Sequence, residues 1–318
     1  MKRLIALLLA GIMLFAFVAC NDDEPELQND TPSEENAEES DSPEPIEPNI
    51  PLPSLTMNEL PGIDGSTAMI PLAEALTALI LDIPRSRAAA MLNFNGTAES
   101  YRNLMREWNA TTLVLSYEPP PAVAEEAATQ LFLWELAAIG RDALVFIVNE
   151  SNPIESITTE QVRMIYTGEV TNWSELGGND VAIEPFQRNE TSGSQTLFIK
   201  LVMGDIPPLK PDIKYLSGGM GPLIESVASF NNTGAAIGFS VFYYAQNMNP
   251  NEGLKFLSID GVAPTRESIR DGSYPHVNDF FVGIAADAPS DSNEHKIFEW
   301  LQSDDGKLLL EHEGYVSI

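Results

Sequence analysis

Three short segments carry residue types that can grip an anion. Gly65-Ser66-Thr67, Asn95-Gly96-Thr97 and Ser192-Gly193-Ser194 each set a glycine beside a hydroxyl residue just before a stretch of helical periodicity. A helix start exposes unpaired backbone N–H groups at the positive end of the macrodipole, glycine lets a ligand approach the backbone, and hydroxyls add donors. One such start is ordinary capping chemistry, because Ser and Thr are preferred N-caps. Three of them, with Arg188 four residues ahead of Ser192, describe a site for a tetrahedral oxyanion.

Catalytic chemistry finds no comparable support. The sequence contains no G-x-S-x-G elbow, Walker A loop, H-E-x-x-H or Cys/His cluster. His276, His295 and His312 are scattered and read as surface or packing residues, so neither an enzyme, a metal nor a cofactor is expected. The formal net charge is −30, which leaves no electrostatic footprint for nucleic acid. An acidic surface does not forbid an anion site. Outer charges are screened beyond about 8 Å, whereas each hydrogen bond to a charged group contributes about 1.5–3 kcal/mol.

The segments that must position these residues begin after an N-terminal region of different character. Lys2 and Arg3 precede an apolar run from Leu4 to Val18 that ends at Cys20, the only cysteine. Residues 1–20 therefore read as a lipoprotein signal peptide with Cys20 as the lipidated residue. Residues 21–55 carry twelve Asp or Glu and no Lys or Arg, which predicts a disordered, extended acidic tether. Residues 56–318 keep a charge of about −20 and alternate helical with strand patterns, the mark of an α/β architecture. Leu72, Leu76, Leu79 and Ile80 form one helical face, and Tyr101, Leu104, Met105 and Trp108 another. Leu113–Leu115, Leu144–Val148 and Ala235–Phe239 read as buried strands. Thr158 and Gln161 have capping-box spacing for a short helix closed by Gly168, and a final helix is expected from Asn293 to about Leu310.

Several longer stretches carry a resemblance. GSTAMIPL, FNGTAESYRNL with LSYEPPP, MIYTGEVTNWSELGG, PFQRNETSGSQTLF and AAIGFSVFYY together resemble the phosphate-binding lipoproteins of the high-affinity phosphate ABC transporter. The resemblance implies a type II periplasmic-binding-protein fold, with two α/β lobes joined by two hinge-crossing strands. Residues 56–143 with 284–318 would form one lobe and 144–283 the other, with crossings at Leu144–Val148 and around Phe280–Val282. It implies an extracytoplasmic, lipid-anchored monomer that captures inorganic phosphate and delivers it to ABC permease subunits. Ser66, Thr67 and the backbone at Ala68 are similar to the family's first phosphate contact, and Gly96 with Thr97 to its second loop. Arg188, Ser192, Gly193 and Ser194 match its Arg and Ser-Gly-Thr loop.

Glu118 stands where the family usually has an aspartate. A buried carboxylate there would accept a hydrogen bond from a protonated phosphate oxygen and reject sulfate, with Asp64 as the alternative group. Trp173 is expected to report on ligand binding. A binding protein for another oxyanion or small ligand, or an extracellular sensor or surface protein on the same fold, remains the alternative reading.

Overall fold

The computed structural model describes residues 52–106, 110–229 and 234–318. The Cys20 lipidation, residues 21–51 of the expected tether and the placing of Trp108 lie outside the described residues. At the far end of that tether the expectation fails: Leu52 and Leu55 pack against the core and Leu55 N donates to Ile80 O at 3.2 Å, because these leucines supply apolar surface that the acidic stretch before them lacks.

The fold is organised by one long strand. β1 (Gly62–Gly65) and β2 (Thr111–Ser116) pair in parallel, and β2 pairs antiparallel with the strand Val277–Ala285. That strand in turn runs antiparallel to the first part of β3 (Trp134–Asn149), from Val277 opposite Ala143 to Ala285 opposite Trp134. Beyond Ala143, β3 changes neighbours: Leu144–Val148 pairs with Ala236–Val241, and Ile147–Asn149 with Leu254–Phe256. One strand thus belongs to two sheet regions, and everything from Ala143 to Asn149 is buried. Burial on both faces explains why this run reads as continuous Leu-Val-Phe-Ile-Val rather than as an alternation.

The chain returns to the first sheet region at Val277, where the Leu144 N–H donates to His276 O at 2.9 Å. This return lies ahead of the Phe280–Val282 position expected from the sequence. Residues 277–283 run alongside residues 136–143 rather than with the second region.

Helices cover both faces. The helix Ile70–Leu81 buries Leu72, Leu76 and Ile80, while Leu79, expected on the same face, is 45% exposed. The predicted capping box is present: Thr158 Oγ1 accepts from Gln161 N at 3.1 Å, Gln161 Oε1 accepts from Thr158 N at 2.8 Å, and Gly168 closes the turn at φ 79°. The single C-terminal helix expected from periodicity is two, Asn293–Leu301 and Asp304–His312. Ser303 interrupts the run because its side chain caps the second helix, accepting from Gly306 N. His276 is buried against Phe146 and Tyr274, a packing role. His295 and His312 sit on the two C-terminal helices.

Candidate functional site

The first wall of the site is built on the ends of β1 and β2. A Cβ on Gly65 would fall 1.9 Å from Leu115 O, so only glycine lets the chain pass this close before turning at Ser66. Ser66 N donates to Leu115 O and Gly96 N donates to Gly65 O, each at 3.0 Å, which ties the first and second hydroxyl segments together. Behind them sits Asp64, 1% exposed. Its Oδ1 accepts from Gly65 N at 2.7 Å and Asn95 N at 2.8 Å, and its Oδ2 from Asn95 Nδ2 at 2.8 Å and Asn103 Nδ2 at 2.9 Å. Four donors occupy the roughly four lone-pair positions of a carboxylate. Asp64 is thus a pin that holds both segments in register.

The second wall starts from a two-residue strand, Gln187–Arg188, paired with Leu216–Ser217. Arg188 Nε donates to Ser217 O at 3.2 Å, and Nη1 lies 3.5 Å from Ser194 Oγ, which is 3.0 Å from Ser192 Oγ. No carboxylate forms an ion pair with Arg188 among the described residues. Burial pulls its guanidinium down to about 10, with Tyr244 acting weakly the other way. The group stays charged at neutral pH, so the site holds a partly desolvated cation with no counter-ion among the described residues. The helix Gly193–Phe198, continued by Ile199–Met203, is aimed by its far end: Phe198 stacks on Phe239 at 4.5 Å and packs on Tyr166 at 4.7 Å.

The walls meet at Gly193. A Cβ there would lie 2.4 Å from Thr97 Oγ1 and 3.6 Å from Tyr117 Cδ2, so the glycine is what permits contact. The structure therefore brings Ser66, Thr67, Ala68, Gly96, Thr97, Arg188, Ser192, Gly193 and Ser194 to one place. It does not bring Glu118 with them as a buried acceptor. Glu118 keeps 43% of its side chain exposed and pairs with Lys200, because Pro119 and Pro120 carry the chain outward directly after it.

Sequence reasoning missed the polar floor beneath the two walls. Asp142, 2% exposed, accepts from Tyr117 OH at 2.8 Å, Ala143 N at 2.8 Å and Tyr243 N at 3.0 Å. Burial pushes its carboxyl up to about 6 against the opposing pull of these donors, Tyr117 first. Tyr243 stacks on Tyr315 at 3.6 Å between ring centroids, and Tyr315 OH donates to Ala68 O at 2.7 Å. The available signal was Asp142 itself, a lone acid at the head of an apolar run, since charges are seldom buried unless satisfied. Trp173 is buried in the second region, bonded to Ala235 O, and touches none of the site residues by any described bond. Trp134 is better placed: it packs on Tyr101 at 5.3 Å, whose hydroxyl donates to Tyr117 O.

A family profile described as a PBP superfamily domain matches residues 123–296, more than half of the chain. The chain belongs to the PBP superfamily. Among its relatives, the phosphate-binding protein PstS of Borreliella burgdorferi is 27% identical over 182 residues, 56% of this chain and 63% of that protein. PstS of Bacillus subtilis is 26% identical over 188 residues, 58% of this chain and 57% of the relative. The chain thus spans under two thirds of the length of these relatives.

Solved structures of the PBP type extend the likeness to the fold. A Clostridium perfringens protein crystallised with bound phosphate superposes with a TM-score of 0.64 at 23% identity, over 80% of this chain and 98% of that one. An ABC-type phosphate transport receptor from Vibrio cholerae gives 0.59 at 19%, with the same coverage. The fold is the two-lobed type II periplasmic-binding fold, and within it β3 changes neighbours at Ala143–Leu144.

Proposed function

We propose that this chain is the solute-binding component of an ABC importer and captures inorganic phosphate between its two walls. The observation that carries the reading is Arg188, a partly desolvated guanidinium with no carboxylate partner among the described residues, set beside the hydroxyls of Ser194 and Ser192, the latter not spent on capping its own helix. Such a cation destabilises the empty cleft and is neutralised when an anion enters. The curated relatives, both called phosphate-binding proteins, support phosphate as that anion. In this reading Thr67, Ala68, Gly96 and Thr97 contribute neutral donors from one lobe. Arg188 and Ser192–Ser194 contribute charge and further donors from the other.

The lobes divide at Ala143–Leu144 and His276–Val277, and they close as rigid bodies about these crossings. Extracytoplasmic display through a lipid on Cys20, delivery to permease subunits, a monomeric state and the lack of catalysis belong to the same proposal. Calorimetric titration of the purified full-length protein with inorganic phosphate tests it. Saturable one-to-one binding at micromolar or lower concentration is expected, and no heat up to millimolar phosphate would refute it.

A further inference from the structure

We infer that, among the described residues, the cleft offers its anion no free carboxylate and therefore holds phosphate and sulfate alike. This rests on the reading that the two walls bind phosphate, and it concerns which tetrahedral anions they accept.

The inference comes from an inventory of the acids the fold brings to the walls. Asp64 has all its acceptor capacity taken by Gly65, Asn95 and Asn103. Asp142 is shielded by Tyr117, whose ring forms part of the contact with Gly193 while its hydroxyl is committed to Asp142 Oδ2. The other Asp142 oxygen serves Ala143 N and Tyr243 N. Glu118 is half exposed and held by Lys200. Of the acids on the remaining wall segments, Glu99 pairs with Arg106 at 2.6 Å and Glu190 is exposed. An aromatic ring, not an acid, thus stands where the two walls meet.

What remains facing the anion is one guanidinium, backbone N–H groups and the hydroxyls of Thr67, Thr97, Ser192 and Ser194. A free carboxylate can only accept, so it would demand a proton on the ligand and leave sulfate facing an unpaired, repelling charge. A hydroxyl carries one donor and two acceptor positions and rotates to suit. It can donate to any sulfate oxygen, and it can accept from the one protonated oxygen of hydrogen phosphate. The difference is large in magnitude. A site built to pair with a substrate O–H rejects the analogue lacking it by about 10⁴-fold or more, whereas rotating hydroxyls leave no buried group unpaired with either anion.

The test compares inorganic phosphate with inorganic sulfate by calorimetry on the full-length protein, in a chloride buffer at pH 7. Dissociation constants within about thirtyfold of one another are expected, well short of carboxylate-based rejection. Phosphate binding with sulfate weaker by more than that overturns the inference and leaves the phosphate reading standing. Failure of phosphate to bind, with or without sulfate binding, overturns both. Tyr117→Asp places an acceptor at the junction of the walls and is expected to weaken sulfate at least a hundredfold relative to phosphate. Tyr117→Phe, which keeps the ring, is expected to leave the ratio within about threefold of the unaltered protein, because its hydroxyl faces Asp142 and not the ligand. A ratio unmoved in a folded Tyr117→Asp protein, or strongly moved in Tyr117→Phe, would count against the assignment. If Tyr117→Asp does not fold, the comparison on the unaltered protein still decides.

Discussion

Helix starts outside the cleft and helix starts on its walls use similar residues differently. At Thr158, Thr265, Ser292 and Ser303 the side chain accepts from the backbone N–H three residues on, so the hydroxyl is spent on the helix itself. At Ser66 and Ser192 no such bond forms, and the third wall start is Gly96, which has no side chain to give. The outer caps satisfy orphan donors locally and stabilise the starts of their helices. The wall hydroxyls are not spent on their own helices, Ser192 Oγ lying against Ser194 Oγ instead, and their segments are held from behind by Asp64, by Tyr315 OH on Ala68 O, and by Phe198 on Phe239. The difference separates stability from recognition: residues behind the walls secure the fold, and residues on the walls remain available to a ligand.

The sharpest break of this comparison is Arg188→Met. Loss of two charge-assisted hydrogen bonds to the anion, at about 2 kcal/mol each, lowers phosphate affinity about a thousandfold. The ligand-free protein should melt no lower than the unaltered one, because a partly buried cation with no carboxylate partner among the described residues has been removed. Calorimetry and a thermal melt read the two halves of the outcome. Asp64→Asn acts the other way round. It sets an amide NH₂ against Asn95 and Asn103 donors and should destabilise the fold by about 3 kcal/mol, seen as a lower urea midpoint at unchanged slope.

A smaller pair of effects contrasts the caps themselves. Thr158→Ala should lose about 1 kcal/mol of stability with phosphate affinity intact. Ser192→Ala should lose about tenfold in affinity with little change in melting, since its hydroxyl does not cap the helix. Glu118→Gln is expected to do least. Its exposed ion pair with Lys200 contributes at most about 1 kcal/mol, and phosphate affinity should stay within twofold. A larger change in the phosphate-to-sulfate ratio would restore Glu118 as the group that senses the ligand proton.

Much of the cleft was legible in the order of residues. Gly-hydroxyl pairs ahead of helical periodicity marked three helix starts, and the apolar run Leu144–Val148 marked a buried strand, because local propensity and solvent-driven patterning act over a few residues. The capping box at Thr158 and Gln161 was readable for the same reason. Leu79 and the break at Ser303 were not, since a periodic pattern does not say how wide the buried stripe is or whether a hydroxyl will interrupt it.

The acid was misread for a deeper reason. Asp64, Glu118 and Asp142 have the same carboxylate chemistry, and their roles depend on which donors distant segments bring to them: Asn103 to Asp64, Lys200 to Glu118, Tyr117 and Tyr243 to Asp142. The sequence by itself determined which glycine and hydroxyl residues stand together at helix starts. Only the tertiary structure decided which carboxylates are already satisfied, and therefore what the cleft can ask of its ligand, because hydrogen-bond satisfaction is settled by partners far apart in the chain.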